Sequence, residues 1–219
     1  MSSRLKIAIL ISGSGSNLQA IIDSIRYNNI PCDIQLVVSN QALAYGLTRA
    51  KQANLKTMII DHKEYTDRQT FDQQIARAVR NSGAQWIVLA GFMRIFSDWF
   101  VESFKNKMIN IHPALLPAYK GLNTHRRALD ENATRHGATV HLVTPELDDG
   151  PNILQGSIDV HSDETEQSLT ARVHHVEHRI YPQVIQWLAS GRLVITDNAI
   201  ILDQKTIPKN GRVIHYADI

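Results

Sequence analysis

Asn110 and His112 are the side chains in this sequence best suited to chemistry. They lie in "INIHPALLP", residues 109 to 117, where apolar neighbours predict the end of a buried strand. Because Asn110 and His112 are two residues apart on a strand, their side chains lie on the same face of the sheet. A carboxamide and an imidazole aimed at one point can stabilise an oxyanion and move a proton, as acyl transfer requires. The alternative is a histidine hydrogen-bonded inside the core, and the neighbouring amide argues against it.

An acidic partner for this histidine is predicted in the loop "TPELDDGP", residues 144 to 151. A histidine that acts as a general acid or base usually needs a carboxylate to orient it. This loop follows a central-looking strand and carries three acidic residues. For Glu146 and Asp149 we favour the alternative of a solvated acidic turn.

A glycine-rich turn, "SGSGSNLQAII", follows the first predicted strand and leads into a helix that is expected to begin at or near Asn17. Free N–H groups and the helix dipole make such a turn an anion site. It lacks the lysine of a Walker loop, and Leu18 replaces the third glycine of a dinucleotide fingerprint. A single phosphate is therefore favoured, and a tight turn with Ser16 or Asn17 as an ordinary helix cap is equally consistent. The expected donors are Gly13, Gly15, Ser16 and Asn17.

The positions of these motifs depend on a predicted βαβ pattern. Continuous apolar runs of strand length alternate with helical periodicity, which indicates a doubly wound, mostly parallel twisted sheet with helices on both faces. The runs are residues 5–11, 34–39, 57–60, 86–92 and 108–112. Alternating segments follow, then a helical pattern from about Glu164 to Ser190 that Pro182 should bend or interrupt. "RLVIT" and "AIILD" predict small antiparallel strands near the end, and the whole chain, 1–219, is predicted to be one domain.

Composition excludes several functional classes. The chain has 23 lysines and arginines against 21 acidic residues, so its net charge of +2 does not predict nucleic-acid binding. No stretch approaches the roughly 20 apolar residues of a membrane-spanning helix. The single cysteine, Cys32, excludes an internal disulfide framework and fits a reducing compartment. We expect a soluble cytoplasmic protein.

With these residues collected, the sequence resembles the folate-dependent phosphoribosylglycinamide formyltransferase family. The similarity covers nearly the whole chain, in the family's order and spacing: "SGSGSNLQAII", "AGFMRI", "NIHPALLPAYKG", "HGATVH", "ELDDGP" and "TARVHHVEH". "HPALLP" and "LDxGP" belong to the wider formyltransferase superfamily. The phosphate turn "SGxGSNL" is the feature that selects this member of it.

The resemblance implies roles for individual positions. Asn110, His112 and Asp148 match the catalytic residues, with Asp148 chosen because it precedes Gly150 by two. The residues that would bind the nucleotide substrate are Gly15, Ser16, Asn17, His174, His175, Val176 and Glu177. The residues that would bind the folate are Arg68, Met93, Arg94, Ile95, Phe96, Asn110, Thr144, Pro145, Glu146, Leu147 and Asp148.

The implied reaction passes a formyl group from 10-formyltetrahydrofolate, the co-substrate, to the free amine of glycinamide ribonucleotide, in de novo purine synthesis. Asn110 and protonated His112 would hold the tetrahedral oxyanion, while Asp148 favours the imidazolium. No metal is expected. Asp149 departs from the family, in which this position is often small or neutral, and two adjacent carboxylates leave the identity of the acid open to test.

Competing interpretations remain at this point. "HHVEH", residues 174–178, formally matches the H-x-x-E-H pattern of zinc peptidases, although no glutamate follows Glu177 as a third ligand. Another formyl-group enzyme is a second alternative. A methionyl-tRNA formyltransferase usually carries an extra C-terminal domain and a basic surface, which this length and net charge do not predict. A formyltetrahydrofolate deformylase commonly carries an N-terminal regulatory domain, whereas the predicted strands here start at residue 5. A non-catalytic binding module would not need an aligned proton-transfer group.

Overall fold

Eleven strands and six α-helices form along residues 4–219, the part of the chain that the computed structural model describes. The first three residues of the predicted domain, 1–219, lie outside the described residues. The first half contains β1 (Leu5–Ile11), α1 (Ser16–Tyr27), β2 (Cys32–Ser39), α2 (Tyr45–Gln52), β3 (Thr57–Ile59), α3 (Arg68–Ser82), β4 (Trp86–Leu89), α4 (Asp98–Ser103) and β5 (Met108–His112). The second half contains α5 (Thr124–Asp130), β6 (Arg135–Leu142), β7 (Asn152–Asp159), α6 (Glu166–Ala189), β8 (Leu193–Ile195), β9 (Ile200–Leu202), β10 (Lys205–Thr206) and β11 (Arg212–His215).

The main sheet has eight strands in the order β11-β7-β6-β5-β4-β1-β2-β3. Only β6 runs antiparallel to its neighbours, which confirms the predicted mostly parallel sheet. From β1 the chain steps outward to β2 and β3, then returns to the other side of β1 with β4. In such sheets ligands bind at the carboxyl ends of the strands where the order reverses. The segments after β1 and β4 and the end of β5 meet there.

Both faces of the sheet are covered, as the continuous apolar runs predict. In β1 the side chains alternate between two hydrophobic clusters: Ile7, Ile9 and Ile11 belong to one, and Ala8 and Leu10 belong to the other. All five are fully buried. A strand buried on both sides needs no polar face, which explains why β1 reads as a run without alternation.

Two predicted features of the chain are wrong. β4 ends at Leu89 rather than Phe92, because Gly91 adopts a left-handed conformation (φ +73°) that turns the chain out of the sheet. The predicted interruption at Pro182 does not occur, since α6 runs unbroken from Glu166 to Ala189, and a bend there stays a prediction. Proline removes one backbone donor, but the segment around it is buried, and Tyr181 anchors it by donating its hydroxyl to the carbonyl oxygen of Leu89 at 2.9 Å.

The C-terminal segments divide between two sheets. β8, β9 and β10 form the small antiparallel sheet predicted from "RLVIT" and "AIILD". β11 was not predicted, and it joins the main sheet parallel to β7. Its sequence, Arg212 to His215, is short and mostly exposed, so its apolar pattern gives little sign of a strand.

Candidate active site

β5 ends as predicted, with His112 as its last residue and with its imidazole only 5% exposed. The ring Nε2 lies 2.8 Å from the carbonyl oxygen of Tyr119, and Nδ1 lies 3.3 Å from Oδ2 of Asp148. A carbonyl oxygen can only accept, so this contact assigns the proton to Nε2. Nδ1 is therefore the nitrogen that faces the carboxylate and can exchange a proton with a bound molecule.

Asp148 reaches this histidine from the loop after β6. Its Oδ2 also accepts a hydrogen bond of 3.0 Å from the N–H of Gly121, and its side chain is 8% exposed. Its neighbour Asp149 turns outward, pairs with Lys120 at 2.5 Å, and is half exposed. The structure thus separates the two adjacent carboxylates and brings the predicted one, Asp148, to His112.

A second histidine, His141, completes the centre. β5 and β6 pair so that His141 lies directly opposite Asn110. Its Nδ1–H donates to the carbonyl of Leu142 at 2.7 Å, which leaves Nε2 to accept from Asn110 Nδ2 at 3.2 Å. Burial lowers the pKa of His141 to about 4, so the ring is neutral and remains an acceptor. The contact fixes the orientation of the Asn110 amide and leaves its second N–H for a ligand.

Four side chains therefore converge, and we call them the catalytic centre: Asn110, His112, His141 and Asp148. The sequence left open whether His141 contacts a ligand or packs, because its role depends on the strand register, which the sequence does not give. Asp148 Oδ1 lies 3.8 Å from His141 Nε2, so the carboxylate faces both rings. This grouping offers an amide donor, an imidazole nitrogen and a carboxylate at one point, which suits acyl transfer.

The glycine-rich turn leads into α1 at Ser16. Gly15 precedes the helix in a left-handed conformation (φ +70°), and a Cβ there would lie 2.6 Å from the Cα of Gly46. Only glycine fits this close approach. No side chain of the described residues 4–219 caps the helix, so the alternative of Ser16 or Asn17 as an ordinary cap is wrong. The first N–H groups of α1 remain suited to an anion.

Glu177 on α6 reaches this turn. Its Oε2 accepts a hydrogen bond of 2.9 Å from Asn17 Nδ2, and burial raises the pKa of this carboxyl to about 7. The Oδ1 of Asn17 is buried without a partner among the described residues. The Asn17–Glu177 hydrogen bond thus joins the glycine-rich turn to α6, and Asn17 Oδ1 can still accept a hydrogen bond from a ligand.

The other predicted positions on α6 divide by face. Val176 is fully buried beside Gly156, so its side chain faces the core. His175 is exposed, and the rings of His174 and His178 stack with their centroids 6.1 Å apart. Within residues 4–219 no group of three or more histidines, cysteines or acidic residues is arranged to hold a metal ion.

Two arginines predicted to bind the folate, Arg68 and Arg94, line a cavity of about 170 Å³ together with His62, Tyr65 and Phe71. Arg68 is the first residue of α3, whose N-cap Asp67 accepts from the N–H of Thr70 at 2.8 Å. This hydrogen bond holds the pKa of Asp67 below its usual value. The cavity offers two guanidinium groups, which suit a carboxylate.

The segment from Met93 to Phe96 runs beside this cavity and is fixed at both ends. The N–H of Met93 donates to Ser12 Oγ at 2.8 Å, and the N–H of Ser97 donates to Asp72 Oδ2 at 2.7 Å. Asp72 is fully buried, which raises the pKa of its carboxyl. Phe96 is buried and stacks on neighbouring aromatic rings, whereas Met93 and Ile95 are exposed.

The loop that carries Asp148 lines a second cavity. Thr144, Pro145 and Asp148 border a cavity of about 730 Å³ that extends to α4 and the small sheet. Glu146 and Leu147 are exposed. Five of the predicted folate residues thus line the two cavities: Arg68, Arg94, Thr144, Pro145 and Asp148. We call Arg68, Met93 to Phe96 and Thr144 to Leu147 together the folate side. No helix of the described residues is long and apolar enough to cross a membrane.

Comparison with known proteins agrees with this geometry. Residues 5–185 match the family model described as formyl transferase. Phosphoribosylglycinamide formyltransferase of Escherichia coli is 45% identical over 94% of this chain and 98% of its own length. The trifunctional purine biosynthetic protein adenosine-3 of Homo sapiens is 43% identical over 90% of this chain and 20% of its own length.

The solved structures give the same picture. Phosphoribosylglycinamide formyltransferase of Coxiella burnetii superposes with a TM-score of 0.92 at 46% identity, covering 95% of this chain and 98% of that one. Glycinamide ribonucleotide transformylase 1 of Symbiobacterium toebii gives 0.88 at 40% identity, covering 92% and 95%. The other formyl-group enzymes considered from the sequence are not favoured by these matches. The chain belongs to the formyl transferase family, among the phosphoribosylglycinamide formyltransferases.

Proposed function

We propose that this protein transfers the formyl group of 10-formyltetrahydrofolate to the amine of glycinamide ribonucleotide, and that the catalytic centre performs the transfer. One observation carries the proposal. The Asn110 amide, His112 Nδ1 and the Asp148 carboxylate face one point at the end of β5, with Asp148 3.3 Å from His112. Formyl transfer needs an oxyanion donor and a proton carrier at the same point.

The amine attacks the formyl carbon, and the formyl oxygen becomes the oxyanion of a tetrahedral intermediate. Asn110 donates the amide N–H that His141 does not use, and protonated His112 donates from Nδ1. Since the Tyr119 carbonyl holds Nε2 and Asp148 faces Nδ1, the ring is held in one orientation throughout. Because these donors are already oriented, little energy is needed to reorganise them when the negative charge develops on the formyl oxygen.

The protons must then move from the attacking amine to the departing folate nitrogen. Asp148 is the carboxylate placed to accept from the amine, directly or through a water, and to return the proton as the carbon–nitrogen bond to the folate breaks. The products are the formylated amine and tetrahydrofolate. Each proton transfer thus passes through Asp148.

The nucleotide substrate binds across the turn and α6. Its phosphate accepts from the first N–H groups of α1 at Gly15, Ser16 and Asn17. Glu177, whose carboxylate already bonds Asn17, accepts from the sugar hydroxyls. His174 lies on the same helix three residues before Glu177, and we assign it to the same nucleotide site.

The folate lies along the folate side. Arg68 and Arg94 receive the carboxylates of its glutamate tail in their cavity. Backbone groups of the loop from Thr144 to Asp148 meet the ring end, where the formyl-bearing nitrogen is close to Asn110. We infer that the partners are small molecules and that the protein is cytoplasmic, as a monomer or homodimer.

The test is formyl transfer by purified protein with glycinamide ribonucleotide and 10-formyltetrahydrofolate. Formation of tetrahydrofolate that depends on both substrates supports the proposal. Release of formate without the ribonucleotide would identify a deformylase instead, and formylation of methionyl-tRNA would identify the other enzyme. Metal analysis of the same sample tests the zinc interpretation, which stoichiometric zinc with chelator-sensitive peptidase activity would favour.

A further inference from the structure

Three consecutive residues, Tyr119, Lys120 and Gly121, each contact the catalytic pair or its immediate neighbour. The Tyr119 carbonyl accepts from His112 Nε2, and the Gly121 N–H donates to Asp148 Oδ2. Between them, Lys120 Nζ bonds Asp149 Oδ1 at 2.5 Å. One short segment therefore orients both the histidine and the carboxylate of the proposed reaction.

The backbone on both sides of this contact is held in an unusual conformation. Tyr119 has φ +55°, Gly121 has φ +80°, and Asp148 on the facing loop has φ +49°. A left-handed conformation is unfavourable for a residue other than glycine and persists where contacts hold it. The segment and the loop thus need contacts between them to keep the His112–Asp148 geometry.

Lys120 is placed to supply such a contact. Its side chain crosses from the segment to the residue directly after Asp148, and its carbonyl accepts from Arg127 Nη1 at 2.7 Å, which anchors the segment to α5. The hydrogen bond from Lys120, and then its charge, hold the pKa of Asp149 below its ordinary value. Asp149 stays ionised throughout the pH range in which imidazoles titrate, so the ion pair persists there.

We propose that Lys120 is a positioning residue for formyl transfer, acting through its ion pair with Asp149 to hold Asp148 against His112. The proposal rests on the assignment of His112 and Asp148 as the catalytic pair. It gives Asp149, which appears in the sequence as a departure from the family, a role that is distinct from that of the neighbouring acid. It also requires no contact between Lys120 and either substrate.

Steady-state kinetics of Lys120→Met, Asp149→Asn and the double variant test this role. Because exposed ion pairs are individually weak, we expect each single variant to lower kcat about two- to threefold. The double variant should lose no more than either single one, because both remove the same contact. KM for glycinamide ribonucleotide should stay unchanged, since the phosphate turn and Glu177 lie on other elements. Lys120→Arg should restore turnover.

Ionic strength provides a second readout. Salt screens an exposed pair, so kcat of the wild type should fall toward that of Lys120→Met as salt is raised, whereas Lys120→Met should change little. Arg192→Met is the matched control, because Arg192 forms an exposed pair with Asp203 beside the small sheet. Neither residue belongs to the catalytic centre or lines either cavity. This control should show the kcat and the salt response of the wild type.

Three results would overturn the proposal: wild-type kcat in Lys120→Met, multiplied losses in the double variant, or a loss that Arg192→Met shares. A loss in Lys120→Met accompanied by a large fall in Tm and a higher KM for both substrates would indicate a structural role and would also overturn it. The catalytic assignment is tested separately. If His112→Ala kept full turnover, that assignment would fail, whatever Lys120→Met does.

Discussion

The catalytic centre and the folate side differ in how far the protein already holds their side chains. His112 and His141 are 5% and 2% exposed, and each has both ring nitrogens facing protein groups. On the folate side Met93 is 67% exposed and Leu147 is 51% exposed. We infer from the difference that the proposed reacting groups are fixed before substrates arrive, whereas the exposed part of the folate side becomes ordered when its ligand binds. Changes in the centre should therefore lower kcat, and changes on the folate side should raise KM.

The largest effect is expected from Asp148→Asn. This change keeps the shape of the side chain and removes the charge that faces His112, so turnover should fall roughly 100-fold or more, or about 2.7 kcal/mol or more of transition-state stabilisation. Asp149→Asn is the matched control one residue away and should retain roughly a third to a half of turnover. Single-turnover rates at saturating substrates measure both. Equal losses in the two variants would remove the distinction between the buried acid and its exposed neighbour.

The pH dependence of stability tests the burial of the centre. The pKa of His141 is about 4 in the folded protein, against 6.5 for an ordinary histidine, so the unfolded chain binds more protons between these limits. Its contribution is fully present above pH 6.5 and is lost as the pH falls toward 4. Between pH 7 and 5 the loss should be about 2 kcal/mol. Urea unfolding should show a correspondingly smaller loss in His141→Gln than in the wild type.

Other buried groups titrate in the same pH range. The effect of His141 is therefore the difference between the pH dependence of stability in the wild type and that in His141→Gln. His136 acts in the same direction as His141, because burial lowers its pKa to about 4 as well. Glu177 acts in the opposite direction, because its raised pKa makes the folded protein bind the extra proton. An identical pH dependence in wild type and His141→Gln would show that His141 is not buried as a neutral ring.

His141→Ala should reduce kcat about tenfold with little change in either KM, because the Asn110 amide loses the acceptor that orients it, a cost of about 1.4 kcal/mol. Initial rates measured over a range of concentrations of both substrates give kcat and the two KM values of this variant. A variant with normal kcat and a raised KM for the folate would place His141 on the folate side of the comparison and not in the catalytic centre.

The smallest effect is expected from the folate side. Arg68→Met should raise KM for 10-formyltetrahydrofolate about fivefold and leave kcat within about twofold, because one charged hydrogen bond to a carboxylate is lost in an exposed site. Lys63→Met, an exposed neighbour that does not line the cavity, is the control and should match the wild type. A fall in kcat as large as that of His141→Ala would mean that the two regions are not functionally distinct.

Local patterns predicted much of this architecture and of the candidate site. β1 and β5 have the predicted bounds, and α1 begins one residue before the expected Asn17. These features depend on apolar runs, glycine turns and polar residues that are neighbours in the chain. Asp148 was placed by its spacing to Gly150, which comes from the family resemblance. Geometry then brings Asp148 to His112.

What the sequence did not predict depends on long-range pairing or on backbone atoms. His141 meets Asn110 only because of the register between β5 and β6. The contacts of Tyr119 and Gly121 use a carbonyl and an N–H, which every residue has, so no residue type marks them. The uninterrupted α6 depends on the buried surroundings of Pro182, which outweigh its local tendency to break a helix.

The most direct test of the central claim is a crystal structure with glycinamide ribonucleotide and an unreactive analogue of the formyl folate. The account predicts the phosphate on Gly15 to Asn17 and the formyl-equivalent oxygen within about 3.2 Å of both Asn110 Nδ2 and His112 Nδ1. An oxygen directed away from both atoms, or a phosphate bound elsewhere, would contradict it.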